Sequence, residues 1–443
     1  MQRTLFFIPH SLFGIPLFGF GWMLGLLAAA FVVWMLVVWR NARRGGPTMG
    51  EELRQNGALW GIAAAVIAVV LPAVEIDSYG GPPAGIAVRG YGVLLLLGVA
   101  SAVGLALLRA RRAGIAADDI FGLALWLFIG GIGGARLFYI VEYRENFMED
   151  GFAATLRQML DFTRGGLVVY GSIIGGTAAM VLYCLRRSIS PLRMGDVIIP
   201  CLFLGLFFGR IGCLMNGCCY GGRCEEGPLA LHFPPGSPVY SRQLTEGELL
   251  GITTDPPLRE ERGKEDEAAA TDRRIVAVTP GSPAEARGIR VGSTLRSIRL
   301  APPPLEQIDP ATPIDDSSQL GVVAVVDDQP IRWTAGELPE RALPVLPAQI
   351  ISSLTGLIGC ILLLGISHTT TLRDGVLMAI GFIGYAIVRF VLEIVRSDEP
   401  GQFGTALTIS QWVSLLVMAL STLLIFYIYK SRPNRPLAPA TKP

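Results

Sequence analysis

The sequence predicts an all-α polytopic membrane protein of about nine transmembrane helices that carries a small α/β insertion on one side of the membrane. Of its 443 residues, 51% are hydrophobic and only 16% are charged, whereas about a quarter of the residues of a soluble domain are charged. Roughly half of the charges fall between residues 217 and 345, so the rest of the chain has the composition of membrane helices.

Nine segments are apolar and long enough to cross the hydrocarbon layer, which takes about 20 residues. They are 12–39, 57–75, 90–108, 119–141, 166–185, 195–216, 347–366, 374–395 and 408–429. The first segment is too long for the apolar core of a signal peptide and has no clear small-residue cleavage site. We therefore interpret it as a retained helix.

The short loops after the odd-numbered segments carry basic residues, which predicts that these loops are cytoplasmic. The residues are Arg40, Arg43, Arg44, Arg54, Arg109, Arg111, Arg112, Arg186, Arg187, Arg193, Lys430, Arg432 and Arg435, with only Arg373 after the seventh segment. We expect an extracytoplasmic N-terminus and insertion, and a cytoplasmic C-terminus.

The insertion has a pattern of its own. RRIVAVTPGSPAEARGIRVGSTLRSI predicts a strand, a turn, a short helix, a turn and a strand, and VVAVVDDQPIRW predicts a later strand and turn. Because GSPAEARGIRVGS resembles the middle of a PDZ domain, we predict a PDZ-like segment at 272–335. A small α/β cap of unrelated origin is the alternative.

Composition excludes two classes of protein. The 37 Lys and Arg residues nearly balance the 36 Asp and Glu residues, which leaves a net charge of +1 and no basis for electrostatic binding of nucleic acid. The chain has three His residues and no HExxH motif, so it is not a zincin-type metalloprotease.

Ionisable residues inside membrane segments are costly and are therefore functional candidates. Arg136 lies in GGIGGARLFYIVEY, Arg210 in LFFGRIGCLMNG, and Arg389 with Glu393 in GYAIVRFVLEIVR. A guanidinium offers a planar set of donors that suits phosphate, so several arginines without an equal set of carboxylates favour an anionic lipid as ligand. The alternatives are that Arg210 snorkels to the interface and that Arg389 and Glu393 neutralise each other.

Tyrosine, asparagine and glycine accompany these arginines. Tyr91 and Tyr170 lie in glycine-flanked contexts near span ends, where they are aromatic-belt residues or hydrogen-bond donors to a phosphate or thiol. Asn216 follows Arg210 by six residues, and Gly217 and Gly221 permit close backbone approach to a ligand or to a neighbouring helix.

Four of the seven cysteines fall in CLMNGCCYGGRC. Their spacing matches no CxxC zinc pair. In an oxidising compartment, a disulfide between Cys218 or Cys219 and Cys224 is the favoured expectation, and metal binding is the alternative.

The motif GRIGCLMNGCCYGG resembles the signature of the prolipoprotein diacylglyceryl transferases, G-R-x-G-N-F-x-N-G-E-x-x-G. The likeness continues in VRGYGVLLLLG, GGARLFYIVEY, GGLVVYGSIIGG, LPAQIISSLTG and GYAIVRFVLEIVR, and it covers residues 85–216 and 343–429. The resemblance implies transfer of the diacylglyceryl group of phosphatidylglycerol to the lipobox cysteine of a prolipoprotein signal peptide, in the bacterial inner membrane. Glycerol phosphate would be released.

The resemblance also implies roles for single residues. Arg210 corresponds to the signature arginine that binds phosphatidylglycerol, Asn216 and Gly217 to the second Asn-Gly, Gly221 to the closing glycine, Tyr91 to the tyrosine of H-x-Y-G, Arg136 to the arginine of G-G-R, and Arg389 with Glu393 to the R-x-x-x-E pair. The chain departs from the pattern with Tyr170 in place of His, Cys213 in place of Asn, Cys218 in place of Glu, and Leu346, Pro347 and Gln349 within LPAQ in place of H-P-S-Q.

We hypothesise that Arg210 and Arg389 clamp the lipid phosphate. Asn216 and Tyr91 would orient it, and Tyr170 would contact the thiol or the head group. The expected partners are phosphatidylglycerol, prolipoprotein signal peptides and membrane lipids, without nucleic acid. No metal or organic cofactor is expected.

The predicted division of the chain has five parts. Residues 1–84 form two extra helices, 85–216 and 343–430 the two parts of the transferase core, 217–342 the insertion, and 431–443 a cytoplasmic tail. Two other classes stay open from the sequence: a PDZ-bearing membrane scaffold or quality-control factor, and a cysteine-based redox or metal protein.

Overall fold

The computed structural model describes most of the chain in two units. The described residues are 3–79, 81–144, 159, 166, 168–255, 272–303, 313, 319–395, 405 and 407–431. One unit contains Met1–Val93 and Cys213–Leu346, and the other contains Leu94–Gly212 and Pro347–Pro443. We call them the insertion unit and the helical unit.

Long helices dominate the described chain. They are α1 (Trp22–Ala42), α2 (Met49–Ala65), α3 (Gly90–Arg112), α4 (Ala117–Glu142), α5 (Val169–Arg186), α6 (Pro191–Asn216), α9 (Ala348–Thr369), α10 (Val376–Val395) and α11 (Ile409–Ser431). Two short helices of the insertion, α7 (Pro238–Thr245) and α8 (Pro283–Ala286), lie between α6 and α9 in the chain. Among the described residues, eight helices are long and apolar enough to cross a membrane. The predicted polytopic membrane fold is confirmed.

The first, second and fifth expected spans differ from the prediction. The first begins at Trp22 rather than at residue 12, because residues before it form strands β1 (Thr4–Ile8), β2 (Ser11–Leu12) and β3 (Ile15–Pro16). Phe13 and Gly14 have φ of 54° and 78°, which makes a tight turn between β2 and β3. The expected span at 166–185 forms α5, whose 18 residues are at the short end for crossing, and α5 is not among the eight.

A π-helical turn interrupts the second span. α2 continues through Val66–Val70 as a π-helix and then through Leu71–Val74 as a further helical turn. Together these pieces make the 26-residue candidate span Met49–Val74, which begins eight residues before the expected start at residue 57. The strand β4 (Ile86–Arg89) pairs antiparallel with β1 directly before α3 begins.

The insertion unit is built on a five-stranded antiparallel sheet. Its strands are β5 (Ile252–Asp255), β6 (Arg273–Val278), β7 (Thr294–Ala301), β8 (Gly321–Val326) and β9 (Gln329–Trp333), paired in that order. Phe233, Leu250, Ile275, Leu295 and Trp333 belong to its core and are almost fully buried. This sheet confirms the small insertion, and the strand, helix and strand expected from RRIVAVTPGSPAEARGIRVGSTLRSI are β6, α8 and β7.

Glycines allow α4 and α5 of the helical unit to touch along their backbones. A Cβ added at Gly175 would lie 2.8 Å from the Cα of Gly134 and would also meet the carbonyl oxygen of Gly130. A Cβ at Gly171 would lie 2.9 Å from the Cα of Ala135. Helices in membranes associate through such small residues, because packing replaces the hydrophobic effect there. The glycine runs that flank Arg136 and Tyr170 thus have a packing role.

Polar contacts tie α3, α6, α9 and α10 together. Arg109 on α3 donates to the carbonyls of Val197 and Asp196, at 3.0 and 2.9 Å, and to Ser367 Oγ at 3.0 Å. The Asp196 carboxylate accepts hydrogen bonds from the backbone N–H groups of Gly375 and Met378, at 2.6 and 2.7 Å. These bonds fix the register of α6 against α10.

His232 in the insertion unit is held between two acceptors. Its ring nitrogens lie 3.0 Å from the carbonyl oxygen of Ala342 and 3.1 Å from the carboxylate of Glu226. The bond to Ala342 and then the bond to Glu226 raise the pKa of His232, while burial and the nearby charge of Arg341 act in the opposite direction. Both ring nitrogens can donate only when the imidazole is protonated.

A pH-dependent stability of the insertion unit follows. Because the pKa of His232 is raised in the folded state, its protonated ring stabilises the insertion unit. This stabilisation is fully present below the unfolded pKa of about 6.5, and it is lost as pH rises through the folded pKa. We expect His232→Gln to lower the thermal unfolding midpoint at about pH 5.5 and to have little effect at about pH 9. Glu226→Gln should show a weaker effect with the same trend. An equal effect of His232→Gln at both pH values would contradict this account.

Candidate active site

The three intramembrane arginines lie at equal depth in their helices. Arg136, Arg210 and Arg389 each lie six residues before the last residue of α4, α6 and α10. With a rise of about 1.5 Å per residue, each Cα is about 9 Å from the C-terminal end of its helix. All three belong to the helical unit.

Helices α6 and α10 run parallel and in contact, which relates Arg210 to Arg389. Three successive pairs of residues pack together: Gly195 with Met378, Ile199 with Gly381, and Phe203 with Tyr385, whose ring centroids are 6.5 Å apart. Arg210 is seven residues beyond Phe203 and Arg389 is four residues beyond Tyr385, so both extend the contacting faces. Continued in this register, the two arginines are separated by about one helical turn, or about 5 Å along the axes.

Arg389 is fixed by its neighbours. Its Nη1 lies 2.8 Å from Oε2 of Glu393, one turn along α10, and its Nη2 donates to Ser410 Oγ of α11 at 2.7 Å. The Glu393 side chain is 1% exposed, and its Oε1 accepts a hydrogen bond from Thr408 Oγ1 at 3.2 Å. The predicted ion pair therefore forms, and it holds a half-buried guanidinium in one rotamer.

Arg210 differs from Arg389 in its surroundings. Its side chain is half-buried near the end of α6. Within the part of the chain that the structure describes, no acidic side chain forms an ion pair with it. Because no described carboxylate neutralises this half-buried cation, its surroundings suit an anionic ligand.

Some polar residues beside this site were not singled out from the sequence. Thr408, Ser410 and Gln411 at the start of α11 are buried. The signal was present as polar residues inside LTISQW, at the beginning of an apolar span. Gln349, which was named within LPAQ, is completely buried in the first turn of α9. Polar side chains buried in a membrane bundle mark functional or network positions.

Arg136 is directed at backbone carbonyls. It is 8% exposed, its Nε donates to the carbonyl of Met159 at 2.9 Å, and its Nη1 lies 3.2 Å from the carbonyl oxygen of Gly166. These bonds hold the chain that leads into α5, where Tyr170 is the second residue. The structure thus gives Arg136 a positioning contact near Tyr170, and its predicted contact with lipid stays a prediction.

The remaining candidates belong to the insertion unit. Gly90, next to Tyr91 at the start of α3, packs against Met215, whose Cε would lie 2.6 Å from an added Cβ. The start of α3 and the end of α6 therefore meet, which brings the chain at Tyr91 close to the chain at Asn216. Tyr91 is 39% exposed.

Gly217 and Gly221 have backbone roles. Gly217 is buried at φ 74°, a conformation that favours glycine, and an added Cβ would lie 3.0 Å from Cβ of Ser237. The N–H of Gly221 donates to the carbonyl of Leu346 at 3.0 Å, and an added Cβ would lie 2.8 Å from Cβ of Leu346. Both glycines shape the loop after α6, and their predicted role in lipid binding stays a prediction.

None of the seven cysteines forms a disulfide bond in the structure. Cys213, Cys218 and Cys219 have sulfur atoms within 4.8 Å of one another. The expected pairing of Cys218 or Cys219 with Cys224 is not formed. The third member of the group is Cys213 at the end of α6, and not Cys224.

The chain matches the family model of prolipoprotein diacylglyceryl transferase over residues 83–427. It is also 45% identical over 446 residues to a phosphatidylglycerol–prolipoprotein diacylglyceryl transferase of Rhodopirellula baltica, across 96% of this chain and 89% of the relative. The chain belongs to the prolipoprotein diacylglyceryl transferase family. The resemblance inferred from the signature motif is thereby confirmed.

Other relatives in the prolipoprotein diacylglyceryl transferase family match a smaller part of the chain. The enzyme of Clostridium tetani is 38% identical over 137 residues, which cover 31% of this chain and 53% of the relative. A second enzyme of this name from Clostridium perfringens is 33% identical over 165 residues, or 36% of this chain and 62% of the relative. The nearly full-length match to the Rhodopirellula baltica protein spans the extra helices and the insertion as well.

Proposed function

We propose that this protein transfers the diacylglyceryl group of phosphatidylglycerol to a cysteine thiol of a prolipoprotein, with release of glycerol phosphate. Family membership supports the reaction. The observation that supports these residues is the parallel packing of α6 and α10 through Gly195, Ile199 and Phe203. From this packing we infer that Arg210 and Arg389 lie on neighbouring turns.

In the proposed clamp, two guanidinium groups bind one phosphate. Glu393 and Ser410 hold Arg389 through the two terminal nitrogens, at 2.8 and 2.7 Å. The Nε edge of Arg389 is proposed to face the ligand together with Arg210, for which the described residues provide no carboxylate partner. The buried Glu393 lowers the local positive charge by one, so the pair of arginines and the carboxylate together carry +1, which matches a phosphodiester of charge −1.

The reaction is a displacement at a saturated carbon. The thiolate sulfur forms a bond to the glyceryl carbon that carries the phosphate, and the carbon–oxygen bond breaks. The electron pair of that bond leaves with the phosphate oxygen. Because negative charge moves onto the leaving phosphate, fixed guanidinium groups stabilise the transition state more than the bound lipid.

The other candidates would orient the substrates. Tyr91 and Asn216 lie where the start of α3 meets the end of α6, and they are proposed to orient the head group. Tyr170 begins α5 beside the chain that Arg136 holds, and it is proposed to contact the thiol or head group. Gly217 and Gly221 give the loop after α6 its shape.

The acceptor of the diacylglyceryl group and the location of the protein are part of the same proposal. The acceptor is the lipobox cysteine of a signal peptide, and the protein spans the bacterial inner membrane. Basic loops after odd-numbered spans favour a cytoplasmic C-terminus, provided that α5 crosses the membrane. The C-terminal ends of α4, α6 and α10, with their arginines, would then share the extracytoplasmic side.

A lipid-transfer assay tests the function. Purified full-length protein is mixed with vesicles that contain phosphatidylglycerol labelled in its acyl chains and with a lipobox peptide. We expect a labelled thioether peptide, and we expect none with labelled phosphatidylethanolamine or with a peptide in which serine replaces the cysteine. Rescue of a bacterium depleted of its own transferase is the matching test in cells. Folded protein that makes no product with phosphatidylglycerol would overturn the proposal.

A further inference from the structure

Three thiols meet at the loop that follows α6. The sulfur atoms of Cys213, Cys218 and Cys219 all lie within 4.8 Å of one another, and each residue is half-buried. Cys213 lies in the last turn of α6, and the other two lie just beyond its end. All three belong to the insertion unit.

The local backbone is folded so that these thiols face each other. Gly217 at φ 74° and Cys219 at φ 58° are both left-handed, and they turn the chain back on the end of α6. The N–H of Cys218 donates to the carbonyl of Cys213 at 3.1 Å, and its Sγ lies 3.7 Å from the same oxygen. A left-handed non-glycine residue costs about 1 kcal/mol or more, and such strain persists only where the surroundings impose it.

The size of the triangle fits a thiolate metal site. Zinc–sulfur bonds are about 2.3 Å, so sulfur atoms in a tetrahedral zinc site are about 3.8 Å apart. The observed limit of 4.8 Å requires only a small contraction. A disulfide would use two of the three sulfurs and leave the third, whereas one metal ion uses all of them.

The described residues provide three ligands, which leave one position of a tetrahedral zinc ion for a further ligand. Structural zinc sites have four protein ligands, while catalytic sites have three and keep the fourth for water or substrate. Cys224, the remaining cysteine of this loop, is not part of the group. The three cysteines are half-buried rather than sealed in the core, so we infer that a ligand can reach the fourth position.

We propose that Cys213, Cys218 and Cys219 bind one Zn²⁺ ion, and that the open position binds the thiol of the prolipoprotein cysteine and activates it for alkylation. This inference rests on the proposed transferase function. The metal ion would supply a means of forming the reactive thiolate, because a thiol that coordinates zinc is deprotonated.

The step balances without any redox change. The substrate thiol gives its proton to water when the sulfur coordinates zinc, because a coordinated thiol is deprotonated. The sulfur of the zinc-bound thiolate then attacks the glyceryl carbon, the carbon–oxygen bond breaks, and the phosphate leaves with the electron pair. The product is a neutral thioether, which is a weaker ligand than a thiolate, so it dissociates and reopens the position.

Asn216 lies beside the three thiols within the insertion unit. It is the last residue of α6, three residues after Cys213 and two before Cys218. Its side chain interacts with Cys218. The proposed metal therefore lies next to an amide that was predicted to orient the lipid.

Metal content and cobalt spectra test the site. Purified full-length protein is analysed for zinc by mass spectrometry and is then loaded with Co²⁺ to record its visible spectrum. We expect about one zinc per chain and the sulfur-to-cobalt charge-transfer and tetrahedral bands of a thiolate site. Cys213→Ser, Cys218→Ser and Cys219→Ser should each lose most of the metal, and Cys224→Ser should keep it. A lipobox peptide should change the cobalt spectrum, and its serine analogue should not.

The results separate the metal site from the transferase function. Zinc that survives all three substitutions is an adventitious ion only and overturns the site, as does a disulfide or a full set of free thiols without metal. A cobalt spectrum that does not respond to the peptide overturns thiol activation. Full lipid transfer by folded, metal-free Cys213→Ser overturns the catalytic role and leaves the transferase proposal intact. A zinc-loaded protein without any transfer overturns the transferase proposal and leaves the metal site.

Discussion

Replacement of Arg389 by alanine is expected to lower the rate of diacylglyceryl transfer by roughly a hundredfold or more, since one preorganised charged donor to the leaving group is lost. Arg389 is held at 2.8 Å from Glu393 and 2.7 Å from Ser410, so it reaches the phosphate without reorganisation. Arg389→Lys should lose about tenfold, because an ammonium cannot satisfy both neighbours and a phosphate at the same time. The measurement is the lipid-transfer rate at saturating and at low phosphatidylglycerol.

Loss of Arg389 also leaves a buried carboxylate, which needs a separate control. Glu393 is 3% exposed, and an unpaired buried charge destabilises a fold by several kcal/mol. The double variant with Arg389→Ala and Glu393→Gln removes this charge and keeps the amide close to Thr408. Arg111→Ala, at an exposed residue near the opposite end of the helical unit, should keep full activity. Wild-type transfer by the folded double variant would remove the clamp.

Addition of a single methyl group at Gly175 is expected to destabilise the helical unit by about 3 kcal/mol, at the upper end of the usual cost of overpacking. The new Cβ of Gly175→Ala would meet the carbonyl oxygen of Gly130 and lie 2.8 Å from the Cα of Gly134. Both are backbone atoms, so α4 and α5 would have to move apart. Thermal unfolding of the purified protein in detergent measures the effect.

The neighbouring glycine provides a matched control. A Cβ at Gly176, one residue later in α5, would have Leu127 Cδ2 as its nearest described neighbour at 4.0 Å. Gly176→Ala should therefore change stability by no more than about 0.5 kcal/mol. Transfer activity should follow stability in this pair, because α4 and α5 carry Arg136 and Tyr170. Equal stability of the two variants would contradict the close helix contact.

The Arg389–Glu393 pair was predictable because both residues lie on one helix. A spacing of four residues places them on the same face, and the structure has the ion pair. The bonds to Ser410 and Thr408 were not predictable, since these residues come from the next helix and only packing decides which face of α11 meets α10. Long apolar stretches of the sequence likewise predicted most of the spans. The start of α1 was not predictable: it lies ten residues later than expected, because the β2–β3 turn precedes it.

The cysteines show the limit of sequence spacing most clearly. Spacing suggested a bond from Cys218 or Cys219 to Cys224, over a short loop. The structure instead groups Cys213, Cys218 and Cys219, because two left-handed residues after α6 reverse the chain toward the end of the helix. Backbone conformations of this kind depend on packing around the loop, and here Phe233 and Ser237 pack against Gly217.

The amino-acid sequence by itself determined that this is a polytopic membrane protein with an insertion, and its signature motif indicated the family. These properties depend on composition and on local order along the chain. Only the tertiary structure decided that α6 and α10, which carry Arg210 and Arg389, pack in parallel, and that three thiols converge beside Asn216. The reason is that such proximities are set by glycine-mediated helix packing and loop reversal, which bring together residues far apart in the chain.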